Sequence, residues 1–208
     1  MKYKFYALWM CAIMIVVFLF QLFVNGFTDA LILNDEAYSQ IWRFITALFL
    51  HGGAGHLLYN IFALALFGSM LEKLVGGRKF LLIFFLTGIV ANLIAVNFYS
   101  SSLGASGAIF GIIGALIVIR PGLPIFAFGI PMPIFLAGII WAAGDLLGAA
   151  AYFVGNPINN TGNIAHLSGM VIGLFLGFFF KEKESFRDNR VRYRLNEHEV
   201  RRWEDDNL

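Results

Sequence analysis

The segment SSSLGASGAIFGIIGALIV, residues 100–118, joins a polar start to an apolar run with glycine at short intervals. Its Gly-x-Ser-Gly sequence places Ser106 among small residues, as around a serine nucleophile. The run that follows has the composition of a segment buried in lipid. The segment therefore predicts a membrane helix with Ser106 near one end, where the serine either packs helices together or reacts.

The rest of the chain has the composition of a polytopic membrane protein. Of its 208 residues, 59% are hydrophobic and 13% are charged, whereas soluble domains carry about 25% charged residues. The apolar blocks predict six helices, at 7–25, 55–74, 79–98, 105–120, 132–154 and 164–180. We therefore expect an all-α, six-transmembrane-helix bundle over residues 1–180 and a charged cytoplasmic tail over residues 181–208.

Lysine and arginine mark one side of this bundle. They precede the first helix and follow helices two, four and six, as Lys2, Lys4, Lys73, Arg78, Lys79, Arg120, Lys181, Lys183 and Arg187. The loops 97–102 and 154–163 carry none. Because positive residues mark the cytoplasmic side, both termini are predicted to be cytoplasmic. The segment 26–53 is too polar at 28–40 to span and is predicted to dip into the membrane interface.

Polar residues on three helices are predicted to meet at one depth. Helical rise places His56, Asn60, Ser106 and His166 about 20–25 Å from the cytoplasmic edge. Polar groups at such depth suggest a functional site. Asp145 is the only carboxylate that could join them, but counting puts it nearer the middle of its helix. We expect no link between Asp145 and His166, and we predict a structural role for it.

Glycine spacing predicts that the helices of Ser106 and His166 pack closely. Gly169 and Gly173 lie four residues apart on the last helix, and such small residues let two backbones approach. Ser106 would then be a nucleophile and His166 its general base, as a dyad. The oxyanion would be bound by the Ser106 N–H together with His56, Asn60 and Gly104.

Four motifs resemble the rhomboid family of intramembrane serine proteases. HGGAGHLLYN resembles the family's His-x4-His-x3-Asn pattern, with His51, His56 and Asn60. GASG resembles its Gly-x-Ser-Gly, and AHLSGMVIGLFLG resembles its Ala-His-x2-Gly-x3-Gly, with His166. IWRFIT resembles its Trp-Arg pair in a first loop that lies partly in the membrane. The resemblance covers residues 40 to 180.

The resemblance implies an endopeptidase of a prokaryotic cell membrane that cleaves single-span membrane proteins near the outer face. Cleavage would occur at a small residue in a segment that can unwind, and the substrate would enter past helix five. The expected partners are transmembrane substrates, the lipid bilayer and water. We expect no cofactor, metal ion or nucleic acid.

The remaining motif residues are predicted to support the site. His51 would fix the first loop, Trp42 and Arg43 would form an interfacial anchor, and Gly169 and Gly173 would pack helices. Two other classes of protein stay open. One is an inactive relative that binds transmembrane helices, and the other is a small transporter, although the chain shows no convincing internal repeat.

Overall fold

The computed structural model describes residues 4–156, 162–181 and 205. It contains the six predicted helices, each ending within three residues of its predicted bounds: α1 (Tyr6–Phe23), α2 (Ala54–Val75), α3 (Gly77–Ala95), α4 (Ser106–Ile119), α5 (Ile134–Phe153) and α6 (Asn163–Phe180). Five are long and apolar enough to cross a membrane, and α4, with 14 residues, is shorter. The prediction of a mostly helical membrane bundle is confirmed. Apart from Lys181 and Asp205, the predicted tail lies outside the described residues.

The segment between α1 and α2 is folded into short elements. It contains the helices Phe27–Leu31 and Arg43–Thr46 and the 3-10 turns Asp35–Tyr38 and Ala47–Phe49. Its short strand β1 (Leu33–Asn34) pairs antiparallel with β2 (Ser101–Ser102). The first loop thereby holds the chain that leads into α4.

A second hairpin joins α4 to α5. Strand β3 (Pro124–Ala127) pairs antiparallel with β4 (Ile130–Pro133). The two residues between them, Phe128 and Gly129, both have positive φ, 54° and 81°, which suits the tight turn of a hairpin. The prediction of an all-α fold did not include these two short strand pairs, because both connections to α4 form backbone pairs that hydrophobic patterning does not reveal.

Helix α4 forms the centre of the bundle, between α3 and α6. Nine of its 14 residues are buried, and five of these nine are glycine or alanine. A β-carbon at Gly111 would overlap Thr87 of α3, and one at Gly114 would overlap the Met170 carbonyl of α6. In a bilayer, where lipid tails are as apolar as leucine, this close packing holds helices together. The core therefore positions α4 rigidly.

Candidate active site

Ser106 and His166 lie in direct contact. Ser106 is the first residue of α4, and His166 lies one turn inside α6. The Oγ atom of Ser106 is 2.8 Å from Nε2 of His166, a normal hydrogen-bond distance. The structure therefore brings together the two residues that the sequence predicts to react.

Glycines on α6 allow this contact. A β-carbon at Gly169 would overlap the carbonyl oxygen of Gly107, and one at Gly173 would overlap that of Gly111. The two backbones are therefore in contact along two turns, with no side chain between them. This separation lets a short serine side chain reach an imidazole on the neighbouring helix.

Asp145 lies beside His166, contrary to the prediction. Its Oδ1 and Oδ2 atoms are 3.1 and 3.3 Å from Nδ1 of His166, and both side chains are buried. Counting from the helix ends misled the prediction, because His166 follows the start of α6 by three residues whereas Asp145 precedes the end of α5 by eight. Helix α5 extends past the start of α6, so the register of the two helices cannot be counted from their ends.

The sequence reasoning also missed Phe110. Its ring stacks on the His166 imidazole, with centroids 4.4 Å apart and planes inclined by 10°. Phe110 lies four residues after Ser106, on the same face of α4. That spacing is the signal that could have found it, because a side chain one turn below the serine faces whatever the serine faces.

His56 lies against the backbone before Ser106. A β-carbon at Gly104 would be 2.9 Å from Nε2 of His56, so only glycine leaves room for the ring. Gly104 also has a φ of 117°, which L side chains rarely adopt. The Gly52 N–H donates a long hydrogen bond of 3.4 Å to Nδ1 of His56, which leaves Nε2 of a neutral ring as the protonated nitrogen.

Asn60 lies one turn further along α2 and is buried. Its Nδ2 donates to the carbonyl of His56 at 2.9 Å. Both residues of this hydrogen bond belong to α2. The structure therefore ties Asn60 to the backbone that carries His56.

His51 is buried in the first loop, in edge-to-face contact with the His56 ring at 5.1 Å. Burial, followed by the nearby His56, lowers the pKa of His51 to about 4, so its ring is neutral at physiological pH. Its Nδ1 is 3.2 Å from the Phe49 carbonyl, and its backbone N–H and C=O bind the Gln21 side chain. These contacts join the first loop to α1.

Arg43 and Trp42 do not act as a pair. Trp42 is half exposed, whereas the Arg43 side chain is only 4% exposed and lies within the first loop. Its guanidinium donates to the carbonyls of Asp29 and Ile32 at 2.7 Å, and it also binds the side chains of Gln40 and Glu36. These four hydrogen bonds from one planar guanidinium hold the first loop together.

Within the part of the chain that the structure describes, no three His, Cys, Asp or Glu side chains are grouped so as to hold a metal ion. The polar groups around Ser106 instead form a hydroxyl, imidazole and carboxylate series. This arrangement is suited to nucleophilic acyl chemistry.

A serine hydroxyl that is hydrogen-bonded to a histidine imidazole, within a bundle of apolar helices, is the arrangement of a membrane-embedded serine hydrolase. Residues 38–183, which are 146 of the 208, match the model of the Rhomboid domain. The chain belongs to the rhomboid family and is a serine-type intramembrane endopeptidase, as its motifs predict. It is a multi-pass integral membrane protein, and its bacterial relatives support a prokaryotic cell membrane.

Three curated relatives illustrate the match. The chain is 30% identical to the rhomboid protease GlpG of Haemophilus influenzae over 148 residues, 69% of this chain and 72% of that protein. It is 34% identical to the rhomboid protease GluP of Bacillus subtilis over 67% of this chain and 26% of that protein. It is 27% identical to GlpG of Yersinia pseudotuberculosis over 70% of this chain and half of that protein.

Proposed function

We propose that the chain hydrolyses a peptide bond in single-span membrane proteins through a Ser106–His166 dyad. The observation that carries this proposal is the 2.8 Å contact between Oγ and Nε2, which lies within the range of an activated nucleophile. His166 takes the Oγ proton as Ser106 bonds to the carbonyl carbon, and it then gives that proton to the leaving amine. A water molecule releases the acyl group by the same steps in reverse.

The start of α4 is suited to bind the oxyanion. Ser106 is the first residue of the helix, so its backbone N–H has no partner within α4, and the helix dipole is positive there. His56 lies against Gly104, two residues earlier, with Nε2–H as a donor. These donors would approach a developing negative charge without rearrangement. Asn60 would contribute by holding the His56 backbone.

We further propose six crossings, cytoplasmic termini and cleavage near the outer face. Arg120 follows α4 and Lys181 follows α6, whereas Ser106 and His166 lie at the opposite ends of these helices. Positive residues favour the cytoplasmic side. Helix α4 is about 21 Å long, less than a hydrocarbon core of about 30 Å. Ser106 would therefore lie below the outer surface, within reach of water.

The test is cleavage of a model single-span substrate by the full chain in liposomes. Wild type is expected to cut the substrate near the outer end of its span, with products mapped by mass spectrometry, and Ser106→Ala is expected to give no product. Ser168→Ala is the matched control, because this hydroxyl donates to the Ala165 carbonyl within its own helix α6. Equal cleavage by Ser106→Ala would contradict the proposal. Intact substrate retained by an inactive wild type would favour the helix-binding relative.

A further inference from the structure

We propose that Asp145 is a positioning residue for His166, so that a third side chain supports the reacting pair. This inference rests on the proposed function, in which His166 is the general base. The Asp145 carboxylate would hold the imidazole in one orientation and one protonation pattern. It would also stabilise the positive charge that the ring acquires when it takes the serine proton.

The contacts of the His166 ring carry the inference. Nε2 faces Ser106 at 2.8 Å, and Nδ1 faces both carboxylate oxygens of Asp145 at 3.1 and 3.3 Å. An ionised carboxylate only accepts hydrogen bonds, so Nδ1 must carry a proton to bind it. In a neutral ring, Nε2 then presents its lone pair to the serine hydroxyl. A general base for Ser106 needs this tautomer.

Helix packing holds the carboxylate in place. Gly148 follows Asp145 by three residues, and Asn163 precedes His166 by three. A β-carbon at Gly148 would overlap the Asn163 side-chain amide, so α5 and α6 approach closely at this level. In antiparallel helices, the mirrored spacing brings Asp145 and His166 together one turn away. The contact is thus a consequence of the helix register.

The apolar surroundings of Asp145 raise the free energy of its ionised carboxylate unless a hydrogen-bond or ion-pair partner is present. Asp145 is 7% exposed and lies in an apolar membrane helix, beside Leu146 and Leu147, which face outward. A charged group at such a place is expensive and commonly functional. Among the described residues, the hydrogen-bond and ion-pair partner of Asp145 is His166.

Glu72 offers a contrast within the same molecule. It is also a buried carboxylate in a membrane helix, but it accepts the backbone N–H groups of Tyr6 and Ala7 at 3.1 Å. Glu72 therefore caps the start of α1 and contacts no group of the candidate site. A variant without the Glu72 charge therefore serves as a control. It measures the loss of stability that follows from removing any buried carboxylate, without an effect on His166.

The proton balance of the step is simple. As Ser106 Oγ bonds to the substrate carbonyl carbon, its proton moves to Nε2 of His166 and the ring becomes an imidazolium. Nδ1–H continues to donate to Asp145, which stays ionised and takes no proton. The Nε2 proton then passes to the nitrogen of the leaving amine as the peptide C–N bond breaks.

The experiment compares Asp145→Asn with Glu72→Gln in the full chain, using the model single-span substrate. Asp145→Asn is expected to lower kcat by about 10²-fold or more, with KM within about twofold because no substrate contact is lost. Glu72→Gln is expected to lower the melting temperature while kcat stays within about threefold. A fall in kcat of less than tenfold for folded Asp145→Asn would overturn the inference.

A second measurement covers the case in which Asp145→Asn does not fold. The sequence contains four histidines, so nitrogen-15 NMR of the imidazoles in wild type can be assigned with His166→Gln. His166 is expected to be protonated at Nδ1, and protonation at Nε2 alone would overturn the inference. If Ser106→Ala retains activity, the proposed function fails. If only Asp145→Asn retains activity, the dyad stands without the carboxylate.

Discussion

Helix α6 meets α4 on one face and α5 on another, and the two contacts differ in kind. Toward α4, Gly169 and Gly173 lie directly against backbone carbonyls. Toward α5, Gly148 lies against the side chain of Asn163, and the polar pair Asp145 and His166 lies one turn away. Backbone atoms cannot move aside, whereas a side-chain amide can rotate.

This difference separates two requirements of the site. The α4 face sets the distance between Ser106 and His166, because the two helix backbones are in contact. The α5 face would set the orientation of the imidazole, through side chains that can adjust. Substitutions on the α4 face should therefore destroy the fold and the activity together. Substitutions on the α5 face should leave the fold intact and reduce the activity only partly.

The largest effect is expected for Gly173→Ala. The added methyl group would overlap the Gly111 carbonyl, which belongs to a helix backbone and cannot move without separating α4 from α6. We expect the free energy of unfolding to fall by about 3 kcal/mol or more, with loss of detectable cleavage. Gly144→Ala is the matched control, because within the described part of the chain no atom beyond its chain neighbours and the nearby backbone of α5 lies within 4 Å of its β-carbon position. Similar melting temperatures for both variants in detergent would contradict this account.

A smaller effect is expected for Gly148→Ala, the same substitution on the other face. The methyl group meets the Asn163 side chain and no backbone atom, so α5 should shift less than the helices at Gly173. We expect a cost of about 1 kcal/mol and a fall in kcat/KM of about fivefold. Initial cleavage rates and melting curves check this. A loss as complete as that of Gly173→Ala would show that both faces are equally rigid.

The smallest effect is expected for Phe110→Leu. Leucine keeps apolar volume beneath His166 but loses the ring stacking at 4.4 Å. Such pairs contribute about 0.5–1.5 kcal/mol beyond burial, so kcat should fall about threefold while KM is unchanged. Phe175→Leu is the control, because its ring makes an edge-to-face contact with Phe179 at an exposed position of α6. Equal rates for the two variants would remove Phe110 from the account.

The sequence predicted the parts of the fold that depend on composition and spacing. Long apolar blocks located all six helices, and the glycines of α4 and α6 indicated the helix pair that brings Ser106 to His166. Small residues at regular spacing in a membrane helix indicate a face that packs closely against another helix. The candidate reacting pair could therefore be found without coordinates.

The missed features depend on register and on local folding. Asp145 meets His166 because α5 extends past the start of α6, and no count from helix ends reveals this. Arg43 was expected at the interface, but the carbonyls it binds come from a loop whose turns have no hydrophobic period. The pairing of β1 with β2 involves two residues on each strand, too few for a pattern.

The most direct test of the central claim is labelling of the purified full chain by a fluorophosphonate probe, in wild type, Ser106→Ala and His166→Ala. The probe reacts with an activated serine hydroxyl and needs no natural substrate. We expect labelling of wild type and its loss in both variants, with all three proteins folded. Labelling of His166→Ala at the wild-type rate would contradict the claim that His166 activates Ser106.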